Sequence, residues 1–171
     1  MKYLIVVDMQ NDFVDGSLGT AEAQAIVPAV VARIERARAE GWTVIATMDT
    51  HGEDYLSSAE GLKLPVSHCI RGTLGWQLEE RVRAAMPDDA IIVEKPTFGC
   101  IRLPELIGDA PEAIELIGLC TDICVVSNAL LLKAHYPDAE ISVDSACCAG
   151  VTPEKHAAAL ATMASCQIDI H

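Results

Sequence analysis

Residues Ile114 to Val126 read IELIGLCTDICVV, and a change of character inside this stretch decides the fold. An apolar run stops at Gly118, turns through Leu119-Cys120-Thr121-Asp122, and resumes as a helix that carries Cys124. A strand that feeds a tight turn into a helix sets the side chains of the first helical turn at the rim of a sheet. Backbone N–H groups there lack intrahelical partners, and the helix dipole favours negative charge. A cysteine in that place is expected to ionise more readily than a free thiol, whose pKa is about 8.5. Cys124 is therefore a candidate nucleophile. A nucleophile needs a base and a charge partner, and the strands before it end in both.

Upstream, Tyr3 to Val7 is a continuous aliphatic run ending at Asp8, the pattern of a central strand buried on both faces. Asp8 to Leu18 is polar and glycine-containing, hence a loop. Ile26, Val27, Val30, Val31 and Ile34 make a helical stripe within Glu22 to Glu40, which Gly41 closes. Trp42 to Met48 is a second buried strand, ending at Asp49. Thr50 to Gly72 is long and irregular, and loops of that length inside compact domains are usually functional. Leu78 and Val82 stand at i, i+4 spacing in a helix expected from Leu74 to Met86 and stopped by Pro87. A third strand, Ala90 to Val93, ends at Glu94-Lys95-Pro96, and a short helix spans Leu103 to Ile107.

Downstream, the Cys124 helix runs to about His135 and Pro137 ends it. Ile141 to Val143 is a fifth strand, ending at Asp144. Thr152-Pro153 caps a helix that reaches about Ser165, and Gln167 to Ile170 can add a sixth strand. Buried strands alternating with amphipathic helices imply a single doubly wound α/β domain over residues 1–171. Its three layers, α/β/α, enclose a mostly parallel six-stranded sheet.

A hydrophobic content of 51% and a formal net charge of −13 exclude several classes of function. The first places the chain among folded proteins. The second argues against nucleic acid, whose phosphates need a basic face. No apolar run approaches the roughly 20 residues of a membrane span, and Met1 to Val7 is too short for a signal peptide, so a cytoplasmic protein is expected. The seven cysteines are odd in number and contain no C-x-x-C pair, which argues against a disulfide framework. Most are expected to be small buried hydrophobes, including the adjacent Cys147 and Cys148. No G-x-G-x-x-G or Walker pattern occurs, so a nucleotide cofactor has no support.

In open parallel sheets, ligands bind beyond the carboxyl ends of the strands. Those ends carry Asp8, Asp49, Lys95, the Cys124 turn and Asp144. Asp8 is placed to take the Cys124 proton and return it to a leaving amine. Lys95 is a cation for carboxylate and thiolate together, and the N–H groups of Cys120 and Cys124 are candidates for an oxyanion hole. A second cluster, Asp49 and His51 with His68 further along the loop, offers three ligands to a divalent Zn, Fe or Mn ion. Glu53, Asp54 and Cys69 stand nearby as competing donors.

Two motifs carry a resemblance. Val7-Asp8-Met9-Gln10-Asn11-Asp12-Phe13 resembles the D-x-Q-x-D-F opening of the isochorismatase-like cysteine hydrolases. Gly118 to Val125 is similar to their G-x-x-T-D-x-C-V nucleophile turn, and the likeness spans essentially the full chain. It implies a parallel six-stranded sheet flanked by helices, an Asp8-Lys95-Cys124 triad, and a cis peptide at Leu119-Cys120 that aims the Cys120 N–H into the oxyanion hole. It also implies dimers or tetramers. Asp49, His51 and His68, with His68-Cys69-x-x-Gly72-Thr73, resemble the metal ligands of the nicotinamidase branch. Nicotinamide hydrolysis to nicotinic acid and ammonia is thus the leading expectation, with Phe13 and Phe98 as pocket walls.

Two positions depart from that branch. Ile123 stands where tyrosine is frequent, and Pro65 lies where an aromatic precedes the metal histidine. Another small amide, a carbamoyl amide or an isochorismate-like vinyl ether therefore stays open. A non-catalytic module that binds a small ligand is the reading from another class. All three triad positions count against it.

Overall fold

The computed structural model describes residues 1–171. Its strands are β1 (Lys2–Val7), β2 (Thr43–Asp49), β3 (Ile91–Lys95), β4 (Ala113–Leu119), β5 (Glu140–Ala149) and β6 (Asp169–Ile170). The helices are α1 (Asn11–Val14), α2 (Ala21–Ala39), α3 (Glu80–Ala85), α4 (Leu103–Ile107), α5 (Val126–His135) and α6 (Pro153–Ser165). The strands form one sheet in the order β3-β2-β1-β4-β5-β6, and every pairing is parallel. After β3 the chain returns to the far side of β1, so the topological switch point falls between β1 and β4. Ligand crevices of such sheets open at that point.

Strand residues alternate between two cores, as the two-residue period requires. Tyr3, Ile5 and Val7 face a cluster completed by Leu103 of α4, Leu132 of α5 and Met163 of α6. Leu4 and Val6 face the other, with Val27, Val30 and Ile34 of α2 and Val82 of α3. Burial on both faces explains why β1 reads as one unbroken apolar run. Thr20 caps α2 by accepting from Ala23 N–H, and Thr152 caps α6 by accepting from Lys155 N–H. No helix is long and apolar enough to cross a membrane.

Three elements differ from the sequence reading. The helix expected over Leu74–Met86 is confined to Glu80–Ala85. Its first half is used otherwise: the Gly75 and Gln77 carbonyls accept from Asp12 and Asn11 N–H, and the Leu74 and Trp76 carbonyls accept from the Asn11 and Gln10 side chains. Carbonyls spent on a neighbouring loop are not available to a helix. The segment after Asp8, expected as loop, includes the helical turn α1.

The fifth strand runs on to Ala149, past a register irregularity opposite Leu116 and Gly118. Cys147 and Cys148 therefore lie inside a strand and enter opposite cores.

Gly118 carries the close approach at the switch point. Its φ is +117°, and a Cβ there would meet the Val7 carbonyl oxygen at 2.1 Å, a backbone atom that cannot move aside. Only glycine lets β4 pass β1 in this conformation.

Candidate active site

Four strand ends deliver the charged groups. Asp8 follows β1, Asp49 ends β2, Lys95 ends β3, and Cys124 lies in the turn after β4. Asp49 and Lys95 are direct partners across the β2–β3 ladder, which sets their side chains on the same side of the sheet. Asp8 departs from strand geometry with φ +47°, a conformation uncommon outside glycine and favoured by short polar residues.

Lys95 Nζ is the hub. It lies 2.7 Å from Asp8 Oδ2 and 3.4 Å from Asp49 Oδ1, donates to the Thr97 carbonyl at 2.9 Å, and stands 3.5 Å from Cys124 Sγ. Asp8 Oδ1 accepts from the Thr47 hydroxyl at 2.7 Å, while Oδ2 is paired with the Lys95 ammonium. Asp8 is also within hydrogen-bond reach of the Cys124 thiol. All three groups are almost wholly buried, with Asp8 0%, Lys95 1% and Cys124 5% exposed.

Burial dominates the acid–base balance. It raises the Asp8 carboxyl above its ordinary range, with Lys95 opposing and the Asp49 charge adding to the rise. Lys95 loses hydration too, but the charges of Asp8 and Asp49 outweigh that loss and hold its ammonium firmly protonated. Cys124 is the correction. Burial, and then the Asp8 charge, push its thiol well above the ordinary cysteine value, although Lys95 works the other way. Desolvation and the carboxylates of Asp8 and Asp49 outweigh the helix terminus and Lys95. The resting group is a neutral thiol facing a carboxylate.

The turn bearing Cys124 is one π-helical turn, Thr121–Val125, entered through a cis Leu119–Cys120 peptide. Its wide hydrogen bond runs from Val125 N–H to the Cys120 carbonyl at 3.1 Å. Asn128 secures it from α5. Its amide donates to the Cys124 carbonyl at 2.8 Å and accepts from Cys100 N–H at 2.7 Å.

The metal candidates also converge, with a fourth member. Asp49, His51, Glu60 and His68 bring their donor atoms within 4.8 Å of one another. His51 Nε2 lies 2.9 Å from Asp49 Oδ2 and 3.8 Å from Glu60 Oε1, and His68 Nε2 lies 3.4 Å and 3.6 Å from the same oxygens. His68 Nδ1 donates to the Val66 carbonyl at 2.8 Å, which turns Nε2 toward the cluster. Two imidazoles and two carboxylates around one centre suit Zn, Fe or Mn. Burial works to raise the Asp49 carboxyl, but hydrogen bonds from His51 and His68 and the charge of Lys95 bring it well below the carboxylate range. Asp49 thus faces Lys95 with Oδ1 and the histidines with Oδ2.

Glu60 was missed because acidic loop residues are usually solvated, and its one signal was membership of the long Thr50–Gly72 loop. Glu53, Asp54 and Cys69, weighed as competitors, do not belong to the convergent set. Gln10 was quoted within its motif but given no role. Its side-chain amide donates to the Asp49 carbonyl at 2.9 Å and accepts from Asp49 N–H at 2.8 Å, clamping that residue.

A cavity of about 280 Å³ opens over both groups, lined by Asp49, Glu60, His68, Cys120 and Cys124 on its polar side. Phe13, Leu64, Phe98, Leu119, Ile123 and Val151 supply the apolar wall. Phe13 is buried and meets the His68 ring at a tilt of 56°, centroids 5.5 Å apart, whereas Phe98 is 43% exposed at the rim. Pro65 does not reach the cavity; its neighbour Leu64 does. A thiol that lines an apolar pocket, with a carboxylate and an ammonium behind it, is an arrangement suited to acyl transfer on a small substrate.

The family model described as the Isochorismatase domain matches residues 2–170. The chain belongs to the isochorismatase family. This family member is 30% identical to a protein of Arabidopsis thaliana named probable inactive nicotinamidase, over 94% of this chain and 86% of that one. It is 26% identical to the nicotinamidase/pyrazinamidase of Mycobacterium tuberculosis, over 99% and 98% of the two chains. The crystal structure of the pyrazinamidase of Pyrococcus horikoshii in complex with zinc superposes with a TM-score of 0.84 and 29% identity, covering 99% of this chain and 98% of that one. With the family and its nicotinamidase/pyrazinamidase relatives, this chain is a hydrolase of the isochorismatase family.

Proposed function

We propose that the chain is an amidase that hydrolyses nicotinamide to nicotinic acid and ammonia through a thioester on Cys124. The observation that carries this reading is the Asp8–Lys95–Cys124 cluster, with Lys95 Nζ 2.7 Å from Asp8 and 3.5 Å from Cys124 at the foot of the cavity. The neutral thiol gives its proton to Asp8 Oδ2 as Sγ attacks the amide carbon. The oxyanion is received by the N–H groups of Cys120 and Cys124, each such donor being worth about 3 kcal/mol. Asp8 returns the proton to the leaving nitrogen, and ammonia departs. Asp8 then draws a proton from water as it attacks the thioester, and the acid leaves with Cys124 restored. Lys95 holds the charge of Asp8 and of the transient thiolate throughout.

Asp49, His51, Glu60 and His68 would hold a divalent ion, whose chemistry here is to accept a lone pair from the substrate's ring nitrogen. Phe13 walls the pocket beside His68. The apolar Ile123 and Leu64 in the lining favour a second reading, another small amide without an aromatic ring.

The test is ammonia release from nicotinamide by the purified protein, beside Cys124→Ala and Glu60→Gln variants, with bulk metal measured on each. Wild type is expected to release ammonia, Cys124→Ala none, and Glu60→Gln to carry less metal per chain. Release unchanged in Cys124→Ala refutes the thioester. Inert nicotinamide with metal present refutes the substrate, and turnover of a carbamoyl or aliphatic amide then supports the second reading.

A further inference from the structure

The nucleophile turn is fastened on two sides, and only one has been accounted for. Asn128 secures it from α5. The start of α6 and the segment leading into it also pack against the turn. A Cβ at Gly150 would meet His156 N at 2.8 Å and Asp122 Oδ1 at 2.9 Å, so that glycine fills the gap. Asp122 Oδ1 accepts from Val151 N–H at 2.9 Å. A side-chain hydrogen bond ties α6 to the turn: His156 Nδ1 lies 2.8 Å from the Thr121 hydroxyl.

Thr121 is wholly buried and stands directly between Cys120 and the rest of the turn. A buried hydroxyl seeks a partner, and His156 fills that role. The imidazole does not line the cavity over Cys124. It lines a neighbouring groove, with Glu22 and Ser145. Burial lowers its pKa, against the Asp122 charge, which favours the neutral ring, and the Thr121 hydroxyl can donate to or accept from Nδ1.

From these contacts we infer that His156 is a positioning residue for the acyl-transfer step, acting through Thr121 to hold the Cys120–Cys124 turn in register with the substrate carbonyl. The inference rests on the reading of Cys124 as nucleophile. A group tied to the turn but absent from the substrate cavity affects the rate of acylation and not the binding of substrate. Small displacements suffice, since about 1 Å of misplacement can cost a hundredfold in rate.

The test is the p-nitrophenolate burst from p-nitrophenyl acetate. It asks only for a working nucleophile turn, so a protein that ignores nicotinamide fails the proposed substrate and not this inference. Burst rate at saturation and half-saturating ester concentration are compared for wild type, His156→Ala, His156→Asn, Thr121→Val and the Thr121→Val/His156→Ala pair. Circular dichroism and urea midpoints show which variants fold.

His156→Ala is expected to lose about tenfold in burst rate, with half-saturation within about twofold of wild type. Asparagine, whose side chain offers a polar atom where Nδ1 stands, is expected to recover most of that rate. The double variant is expected to be no slower than Thr121→Val alone, since both changes remove one contact. Should His156→Ala not fold, the asparagine variant and Thr121→Val carry the comparison. A wild-type burst in folded His156→Ala, an asparagine variant as slow as alanine, additive losses in the double variant, or a raised half-saturation at normal rate would each overturn the inference.

Discussion

Replacing Lys95 by methionine tests the charge economy of the site without reference to any substrate. Methionine keeps the length and removes the charge, leaving Asp8 without its cation in a place that is 0% exposed. At an effective dielectric of about 20, the Asp8 attraction at 2.7 Å amounts to roughly 6 kcal/mol before desolvation is set against it. Breaking a buried pair from one side typically costs about 3–5 kcal/mol.

Asp8 has an escape, which sets the ceiling. Its carboxyl, already raised by burial, can take up a proton once Lys95 is gone. Protonating a carboxyl whose unfolded pKa is about 3.9 at pH 7 costs about 1.36 × 3.1, or roughly 4 kcal/mol. In the variant the native state then binds one proton more than the unfolded state, so stability falls as pH rises, by about 1.4 kcal/mol per unit above the unfolded pKa. The deficit against wild type is therefore expected near 4 kcal/mol at pH 7 and near 2 kcal/mol at pH 5.5.

Urea unfolding at several pH values reads it directly, and adding Asp8→Asn is expected to recover part of the loss and flatten the pH dependence. Asp49 contributes less, because His51 and His68 still hold it. A deficit that does not change with pH, or a double variant less stable than Lys95→Met, would refute the reasoning.

Two further outcomes follow from the same geometry. Gly118→Ala forces a Cβ onto the Val7 carbonyl at 2.1 Å in a left-handed conformation, and a loss of about 3 kcal/mol or more in urea unfolding is expected; a loss below about 1 kcal/mol would contradict the close approach. In peptide mapping after iodoacetamide treatment, Cys124 is expected to label more slowly than the exposed Cys166 at neutral pH and to keep accelerating above the usual thiol range, with Asp8→Asn shifting that rise to lower pH. A rate for Cys124 that levels off below the ordinary cysteine pKa of about 8.5 would count against burial as the controlling force.

The parallel sheet was legible because strands buried on both faces leave largely apolar runs: β1 is unbroken from Tyr3 to Val7, and β2 and β4 are interrupted only by Thr47 and Glu115 before their ends. The length of β5 was not, because Asp144 and Ser145 read as a strand end whereas the ladder passes them and resumes opposite Gly118. The first half of the Leu74–Met86 segment was illegible for a different reason. Its residues suit a helix, and what defeats the helix is a set of hydrogen bonds to Asn11 and Asp12, more than sixty residues earlier in the chain. Strand ends place side chains, which is why the convergence of Asp8, Asp49, Lys95 and Cys124 is legible from the sequence. Glu60 has no strand to place it. Only the path of its loop brings it to His51 and His68, and loop paths leave no periodic signal.

Register carries the site more than any single contact does. Val7 pairs with Thr47 on one side and Gly118 on the other, and two residues beyond Thr47, Asp49 pairs with Lys95. Thr47, opposite the last residue of β1, is thereby the residue whose hydroxyl meets Asp8 at 2.7 Å. A slip of one residue between β2 and β3 turns Lys95 to the opposite face of the sheet, away from both carboxylates and the thiol. Apolar burial on both faces gives weak protection against such a slip, because either face accepts an aliphatic side chain. What it does not accept is an unpaired ammonium or carboxylate in a core. The Asp8–Lys95–Asp49 contacts therefore help select the register that the site requires, and the groups read here as chemical are also groups that keep the sheet in step.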